Sequence, residues 1–177
     1  MVMMSNGRSL IAYYSRAGSN YVGGNIVNLT VGNTEVAAHI VQHLTGAALF
    51  KIETVQQYPA DYHETTEVSK KELRQNFRPE LSAHLVDLSE YEVIYLGYPN
   101  WWGTMPMAVF SFLEEYEFAG KTIVPFCTHE GSGMGRSESD IRKICPTATV
   151  SRGLAIVGGS VQGAEEPIRK WLGIQRR

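Results

Sequence analysis

Short apolar runs alternate along the chain with segments in which apolar residues recur at helical spacing. Apolar runs of this kind are typical of strands that are buried on both faces, and the helical spacing is typical of amphipathic helices. The pattern predicts strands over residues 9–14, 47–53, 93–98, 122–128 and 149–157. It predicts helices over residues 34–45, 62–76, 105–116, 136–144 and 164–172.

Local residue chemistry refines two of these elements. Thr34 can cap the start of the first helix, and Gly46 can end it. Pro125 lies inside the fourth predicted strand, and because proline cannot donate to a strand ladder, a bulge or fray is expected there. Pro106 is compatible with the third helix because it falls in the first turn.

The alternation of strands and helices predicts the fold class. Parallel strands joined by helical crossovers form a sheet that helices cover on both faces, and right-handed crossovers favour a doubly wound α/β sheet. No internal repeat, low-complexity tract or linker interrupts the pattern. A single domain is therefore expected over residues 1–177.

Composition narrows the classes of function. Lys and Arg number 16 against 18 Asp and Glu, so the net charge of −2 gives no electrostatic reason to expect nucleic acid or an anionic membrane as a partner. No apolar run is long enough to span a bilayer, and residues 1–8 lack the apolar core of a signal peptide. Cys127 and Cys145 form no metal-spaced pair, which favours reduced thiols in the cytosol and no metal site.

Three loops follow predicted strands at the sheet edge where doubly wound proteins bind ligands. The candidate cofactor-binding residues of the first loop are Ser15, Arg16, Ala17, Gly18, Gly32, Asn33 and Thr34. Those of the second loop are Pro99, Asn100, Trp101, Trp102 and Gly103. Those of the third loop are Thr128, His129, Glu130, Gly131, Ser132 and Gly133. A helix start rich in hydroxyl groups, an indole wall and a glycine-rich loop together suit a planar ring on a phosphate tail.

The first loop has two interpretations on its residues alone. It is either one anion-binding loop interrupted by an insertion over residues 19–31, or a solvated loop in which Thr34 is an ordinary cap. The other two loops favour the anion-binding interpretation, because they supply the remaining walls of a cofactor site.

Together these segments resemble flavodoxins and flavodoxin-like FMN proteins over essentially the whole chain. The family's phosphate loop runs Ser/Thr-x-(Ser/Thr/Ala)-Gly-Asn-Thr. Residues 15–18 match its first half, Asn33 and Thr34 match its second half, and Gly32 is an alternative for the glycine. The patterns GYPNWWGTMP and CTHEGSG strengthen the resemblance, which implies the strand order 2-1-3-4-5 and FMN as the cofactor.

The resemblance also implies roles for individual groups. One of Trp101 and Trp102 faces the flavin, the backbone of Pro99, Asn100 and Gly103 frames the ring, and backbone N–H groups of the third loop bind its pyrimidine edge. A carbonyl flip on reduction is expected near Trp102–Gly103. His129 and Glu130 depart from the acidic loop of many flavodoxins. Either His129 lies near the flavin N1 and favours the anionic hydroquinone when protonated, or His129 and Glu130 form a surface pair.

The function expected from this resemblance is electron transfer through noncovalently bound FMN, with a redox protein or a small-molecule acceptor as partner and no catalytic acid or base. One alternative is an NAD(P)H-dependent FMN oxidoreductase that acts on quinones. The mild net charge favours it, and the insertion over residues 19–31 could wall a substrate pocket or a homodimer contact. A second alternative is a flavin-free binding module.

Overall fold

A computed structural model describes residues 8–175, so the prediction made for the N-terminal seven residues lies outside the described residues. The strands are β1 (Ser9–Tyr13), β2 (Gly18–Val22), β3 (Asn25–Leu29), β4 (Ala48–Lys51), β5 (Val93–Pro99), β6 (Thr122–His129), β7 (Thr149–Val150) and β8 (Leu154–Val157). The helices are α1 (Asn33–Thr45), α2 (Tyr62–Gln75), α3 (Met107–Glu115), α4 (Ser137–Ile144) and α5 (Glu165–Leu172), and a 3₁₀ helix covers Gly158–Gly163.

The main sheet is parallel and confirms the predicted α/β class. Its order is β4-β1-β5-β6-β7, and β8 also pairs with β6. When β7 and β8 are counted as two halves of one strand, this is the predicted order 2-1-3-4-5. The sheet therefore has six strands where the sequence predicted five, and the difference lies in the last one.

Proline explains why the predicted strand over residues 149–157 is broken. β7 pairs with Thr122 and Ile123, and β8 pairs with residues 126–129 of β6, so the break lies beside Pro125. Pro125 has no N–H to give to a ladder. The chain comes close at this point, since a Cβ on Gly153 would lie 3.0 Å from the carbonyl oxygen of Pro125. The expected irregularity exists, but the neighbouring strand carries it.

Two apolar layers cover the sheet, one on each face. Successive residues of a strand point to opposite faces, so Leu10 and Ala12 of β1 enter one core cluster and Ile11 and Tyr13 enter the other. Each fully buried aliphatic side chain contributes about 1.5–3 kcal/mol relative to its exposed state. The sheet edge that carries the loops is thus fixed by packing from both sides.

Two helix boundaries are informative. α2 confirms the helix predicted over residues 62–76. Asp61 begins it, because its side chain accepts a hydrogen bond from the Glu64 N–H at 2.9 Å, and Asn76 ends it with a φ of 51°. α3 starts at Met107 and not at the predicted residue 105, because Pro106 is its N-cap with an extended backbone. The prediction that placed Pro106 in the first turn was wrong.

The predicted insertion forms a separate two-stranded antiparallel sheet, β2–β3. Its turn consists of Gly23 and Gly24, whose φ angles are 59° and 87°. Two consecutive positive φ values are what a tight type I′ hairpin turn requires, and glycine adopts them without steric cost. We call this element the hairpin. Among residues 8–175, no helix combines the length and the apolar character that a membrane span requires.

Candidate functional site

Three loops and the hairpin surround one cleft of about 340 Å³ at the carboxyl ends of β1, β5 and β6, which we call the main cleft. The predicted residues that line it are Ser15, Arg16, Asn33, Thr34, Pro99, Asn100, Trp101, Thr128, His129, Glu130 and Ser132. Four further residues complete the lining: Asn20 and Tyr21, which belong to the insertion expected to wall a pocket, and Tyr62 and Gly158, which the sequence did not point to. Its volume falls in the range of small-molecule and cofactor sites, about 300–1,000 Å³.

The start of α1 forms one end of the main cleft. The Ser15 hydroxyl accepts a hydrogen bond from the Glu35 N–H at 3.0 Å, so the first loop caps the helix from across the hairpin. Gly32 makes this possible, since a Cβ there would lie 2.2 Å from Ser15 Oγ. Among residues 8–175, the N–H groups of Asn33 and Thr34 have no hydrogen-bond partner. Unpartnered N–H groups at the positive end of a helix dipole suit an anionic group.

Thr34 does not cap α1, so that prediction was wrong. Its side chain is buried, and its hydroxyl shares a 2.8 Å hydrogen bond with the hydroxyl of Thr128, which is also buried. The N-cap residue is Gly32. The hydroxyl pair instead joins the first loop to the third loop under the floor of the main cleft.

Asn100 joins the second loop to the third. Its side-chain N–H donates to the Gly133 carbonyl at 2.9 Å, and its side-chain amide oxygen accepts from the Gly103 N–H at 2.9 Å. Its backbone N–H donates to the Thr128 carbonyl at 2.8 Å. With the threonine pair, these bonds connect all three loops, and we refer to the connected loops as the rim.

Arg16 lines the main cleft, but its guanidinium is occupied by backbone carbonyls. It donates to the carbonyl oxygens of Ser19, Pro59 and Ala60, with both of the latter at 2.9 Å. Burial lowers the pKa of the Arg16 guanidinium. The side chain neither points to solvent nor offers its bound N–H groups to an anion. It fastens the base of the hairpin to the segment that precedes α2.

The two indoles point in different directions, as consecutive residues in an irregular loop usually do. Trp101 lines the main cleft and packs edge-on against Tyr14 and Tyr58, with ring centroids 5.3 Å and 5.2 Å away. Trp102 does not line the main cleft. Its indole N–H donates to the Thr66 carbonyl at 3.2 Å and to the Ser69 hydroxyl at 3.0 Å, which turns the ring toward α2.

The third loop contacts the hairpin. A Glu130 carboxylate oxygen accepts from the Gly23 N–H at 3.0 Å, and His129 Nδ1 accepts from the Gly131 N–H at 2.9 Å. In the neutral imidazole the ring proton is therefore on Nε2. His129 and Glu130 do not form the surface pair that was one alternative, because each has a different partner.

The hairpin forms the outer side of the main cleft. Tyr21 stacks on Tyr62 of α2, with ring centroids 6.2 Å apart and an angle of 25° between the rings. The Gly23–Glu130 bond holds the hairpin tip to the third loop. This arrangement matches the expected pocket wall. The pair Gly23-Gly24 between strand-like residues was the signal that could have placed Asn20 and Tyr21 here.

Some predicted site residues do not line the main cleft: Ala17, Gly18, Gly32, Trp102, Gly103, Gly131 and Gly133. Gly18 begins β2, so the chain has already turned away into the hairpin. Gly32 leaves room for the Ser15 hydroxyl, and the Gly133 carbonyl accepts a hydrogen bond from the Asn100 side chain, so both contact residues that line the main cleft. Gly103 is held by Asn100 and by the Arg136 N–H, which donates to its carbonyl oxygen at 2.8 Å.

The chemistry of the side chains around the main cleft favours neither a metal ion nor a reactive thiol. Within residues 8–175, no cluster of His, Cys, Asp and Glu side chains is placed to hold a metal ion. Cys127 and Cys145 are buried free thiols, and burial raises the pKa of Cys127 to about 12. The donors that the rim offers are backbone N–H groups and hydroxyls, which suit a ligand bearing a phosphate and a flat polar ring.

Comparison with known proteins places the chain in a single family. Residues 24–174 match the family model described as Flavodoxin. No curated protein matches the chain.

Solved structures share the fold of this chain. A flavoprotein from Bacteroides uniformis is 28% identical with a TM-score of 0.74, over 96% of this chain and 99% of that one. A flavoprotein from Bacteroides eggerthii is 25% identical with a TM-score of 0.74, over 96% and 100% of the two chains. A flavoprotein from Lactobacillus acidophilus, solved in complex with FMN, shares the fold at 20% identity and a TM-score of 0.62, over 89% and 97% of the two chains.

Proposed function

The chain belongs to the flavodoxin family, and on that premise we propose that it binds FMN noncovalently in the main cleft and transfers electrons through it. The FMN ring supplies the redox chemistry, and the protein supplies position and electrostatics. The observation that carries the proposal is the meeting of three loops at one cleft with a different chemistry at each wall. A solved flavoprotein with this fold holds FMN, which supports the choice of ligand.

Each wall of the main cleft has a proposed task. The unpartnered N–H groups of Asn33 and Thr34 bind the phosphate dianion, and the α1 dipole adds a favourable field. The Trp101 indole packs against the ring. The third loop, from Thr128 to Ser132, presents backbone N–H groups to the polar ring edge.

The rim bonds explain how these walls keep their places. The Thr34–Thr128 and Asn100 hydrogen bonds join loops that are far apart in sequence, so the walls are set before a ligand arrives. Binding to a preformed site avoids the entropy cost of ordering loops.

The visible spectrum of the purified protein tests the proposal. FMN-loaded protein should absorb at the flavin bands, and heating should release a flavin that comigrates with FMN and not with riboflavin or FAD. Folded protein that stays colourless after incubation with FMN would overturn the proposal and favour a flavin-free binding module.

One observation favours an oxidoreductase that uses NAD(P)H as the second candidate. The hairpin adds Asn20 and Tyr21 to the main cleft and so supplies a wall beyond what the three loops provide. Steady-state oxidation of NAD(P)H with a quinone separates the candidates. Rapid turnover by the purified protein alone supports the enzyme, whereas reduction only through an added flavodoxin reductase supports the carrier.

A further inference from the structure

A second cavity of about 200 Å³ opens beside the main cleft, on the side of α2. We call it the annex. It adjoins the main cleft along five shared lining residues and adds four of its own. The shared residues are Arg16, Asn20, Tyr62, Asn100 and Trp101, and the added ones are Thr65, Thr66, Ser69 and Trp102. A ligand in the annex would therefore contact the same indole as a ligand in the main cleft.

The annex exists because the adjoining face of α2 carries small side chains. Thr65, Thr66 and Ser69 follow the spacing of one helix face, where a core-facing helix would usually carry large apolar residues. The Thr65 hydroxyl donates to the Pro59 and Asp61 carbonyls at 2.8 Å, and the Ser69 hydroxyl donates to the Thr66 carbonyl at 3.0 Å. These hydroxyls are satisfied within the protein, so the wall can face an apolar ligand.

Trp102 supplies a flat aromatic surface that is partly exposed and fixed in orientation. Its indole is 45% exposed, although two hydrogen bonds from its N–H fix the ring against α2. Its φ is 58°, a conformation that a bulky residue rarely adopts. The turn thus holds the Trp101 and Trp102 indoles against one small space in which an aromatic ring can pack.

Two polar groups, one lining the annex and one beside it over the Trp102 ring, make no hydrogen bond or ion pair among residues 8–175. The Tyr62 hydroxyl makes no hydrogen bond there, and burial raises its pKa, so it stays a donor at neutral pH. The Lys70 ammonium forms no ion pair and lies 5.2 Å from the centroid of the Trp102 ring. A hydroxyl donor and a cation beside aromatic walls favour a ligand with an anionic oxygen on an aromatic ring.

We propose that the annex is a second ligand site, which takes a flat aromatic anion of one or two rings and holds it beside the cofactor. An apolar cavity of about 150 Å³ binds benzene, so the volume suits one or two rings and is too small for a dinucleotide. The proposal rests on the proposed function, because it assigns the main cleft to FMN. It adds the class of small molecule that the protein brings to the flavin.

Calorimetric titration of naphthalene-2-sulfonate into FMN-loaded protein tests the annex, with cyclohexanesulfonate as the non-aromatic control. The aromatic probe should bind without releasing FMN, and the control should bind at least about tenfold more weakly. Lys70→Met and Tyr62→Phe should each weaken binding of the probe by about fivefold. Lys71→Met, which alters the exposed neighbour on the same helix, should leave binding unchanged.

Flavin absorbance in the same samples separates the possible failures. If the protein holds FMN but takes up no probe at millimolar concentration, the annex is not a ligand site and the proposed function still stands. Release of FMN by the probe shows that the annex is part of the cofactor site and also overturns the proposal. Protein that takes up no FMN removes both the proposed function and the annex.

Discussion

The rim and the hairpin bound the same cleft but are built in opposite ways. The rim lies on a sheet packed from both faces, and its Thr34–Thr128 bond is buried. The hairpin is a separate two-stranded sheet with Tyr21 and Ile26 exposed. It is held to the rest of the molecule through the Arg16 side chain, the Tyr21–Tyr62 stack and one bond to Glu130.

The contrast in packing gives the two regions different tasks at the site. An isolated two-stranded hairpin is at best marginally stable, and loosely packed elements open at low free-energy cost. The rim should therefore stay fixed up to global unfolding, whereas the hairpin should open in the native state. A fixed rim holds a ligand in one position, and a hairpin that opens lets the ligand enter and leave the main cleft.

Thiol reactivity gives the largest expected contrast. Burial raises the pKa of Cys127, in β6 below the rim, to about 12, so native protein at pH 8 holds almost no thiolate. We expect alkylation of Cys127 by iodoacetamide to be about a thousandfold slower than that of a cysteine introduced by Ile26→Cys on the hairpin. Alkylation followed by mass spectrometry measures both rates.

The same pKa shift sets a pH dependence. Because the thiol ionises near pH 8.5 in the unfolded chain and only near 12 in the native state, its contribution to stability is complete below pH 8.5 and is lost as the pH rises from 8.5 toward 12.

In the alkylation experiment, native Cys127 that reacts as fast as the hairpin cysteine would show that the sheet under the rim opens as easily as the hairpin.

Two glycines allow a matched substitution in the two regions. A Cβ on Gly97 of β5 would lie 2.3 Å from the Phe126 ring, so Gly97→Ala should destabilise the protein by about 1–3 kcal/mol in urea unfolding. Gly24→Ala meets no atom within 4 Å but strains a φ of 87° in the hairpin turn. It should speed amide exchange in the hairpin and leave the urea midpoint unchanged. Equal shifts of the midpoint would remove the distinction between the regions.

The buried hydroxyl pair allows a double-mutant cycle in the rim. Thr128→Val removes one partner and leaves the Thr34 hydroxyl buried without a hydrogen bond, which costs about 1–3 kcal/mol. The double variant Thr34→Val with Thr128→Val should lose less than the sum of the two single losses, because no polar group is then left unpaired. Additive losses in urea unfolding would mean that the bond does not join the loops.

The Tyr21–Tyr62 stack gives the smallest expected effect. Such a pair contributes about 0.5–1.5 kcal/mol, so Tyr21→Ala should speed FMN dissociation by about two- to tenfold with no change in the urea midpoint. Tyr21→Phe keeps the ring and should dissociate FMN at the original rate. Stopped-flow release of the flavin distinguishes the variants, and an unchanged rate in Tyr21→Ala would mean that the hairpin does not cover the cofactor.

What could be predicted from the sequence follows the same division. The sheet strands were predictable because burial on both faces leaves continuous apolar runs, as in Val93–Pro99. The hairpin was not predicted, since Ser and Asn residues break up its apolar pattern and only Gly23-Gly24 marks its turn. The partners of Arg16 are carbonyls of residues far along the chain, at Pro59 and Ala60, and no local pattern encodes such a contact.

The two indoles show the same limit within one loop. The sequence predicted that one of Trp101 and Trp102 faces the cofactor, but the direction of each ring depends on tertiary contacts. Trp102 turns toward α2 because Thr66 and Ser69 accept its N–H, and those acceptors lie on a helix with few apolar residues. Side-chain direction in an irregular loop is set by such partners.

Calorimetric titration of folded protein with FMN and with riboflavin separates binding of the ring from binding of the phosphate, because the two ligands differ only in the phosphate. If the main cleft holds the ring and the start of α1 holds the phosphate, FMN binds with one-to-one stoichiometry and riboflavin binds at least about tenfold more weakly. Folded protein that takes up no FMN would show that the main cleft is not an FMN site, and equal binding of riboflavin would show that the start of α1 does not hold the phosphate.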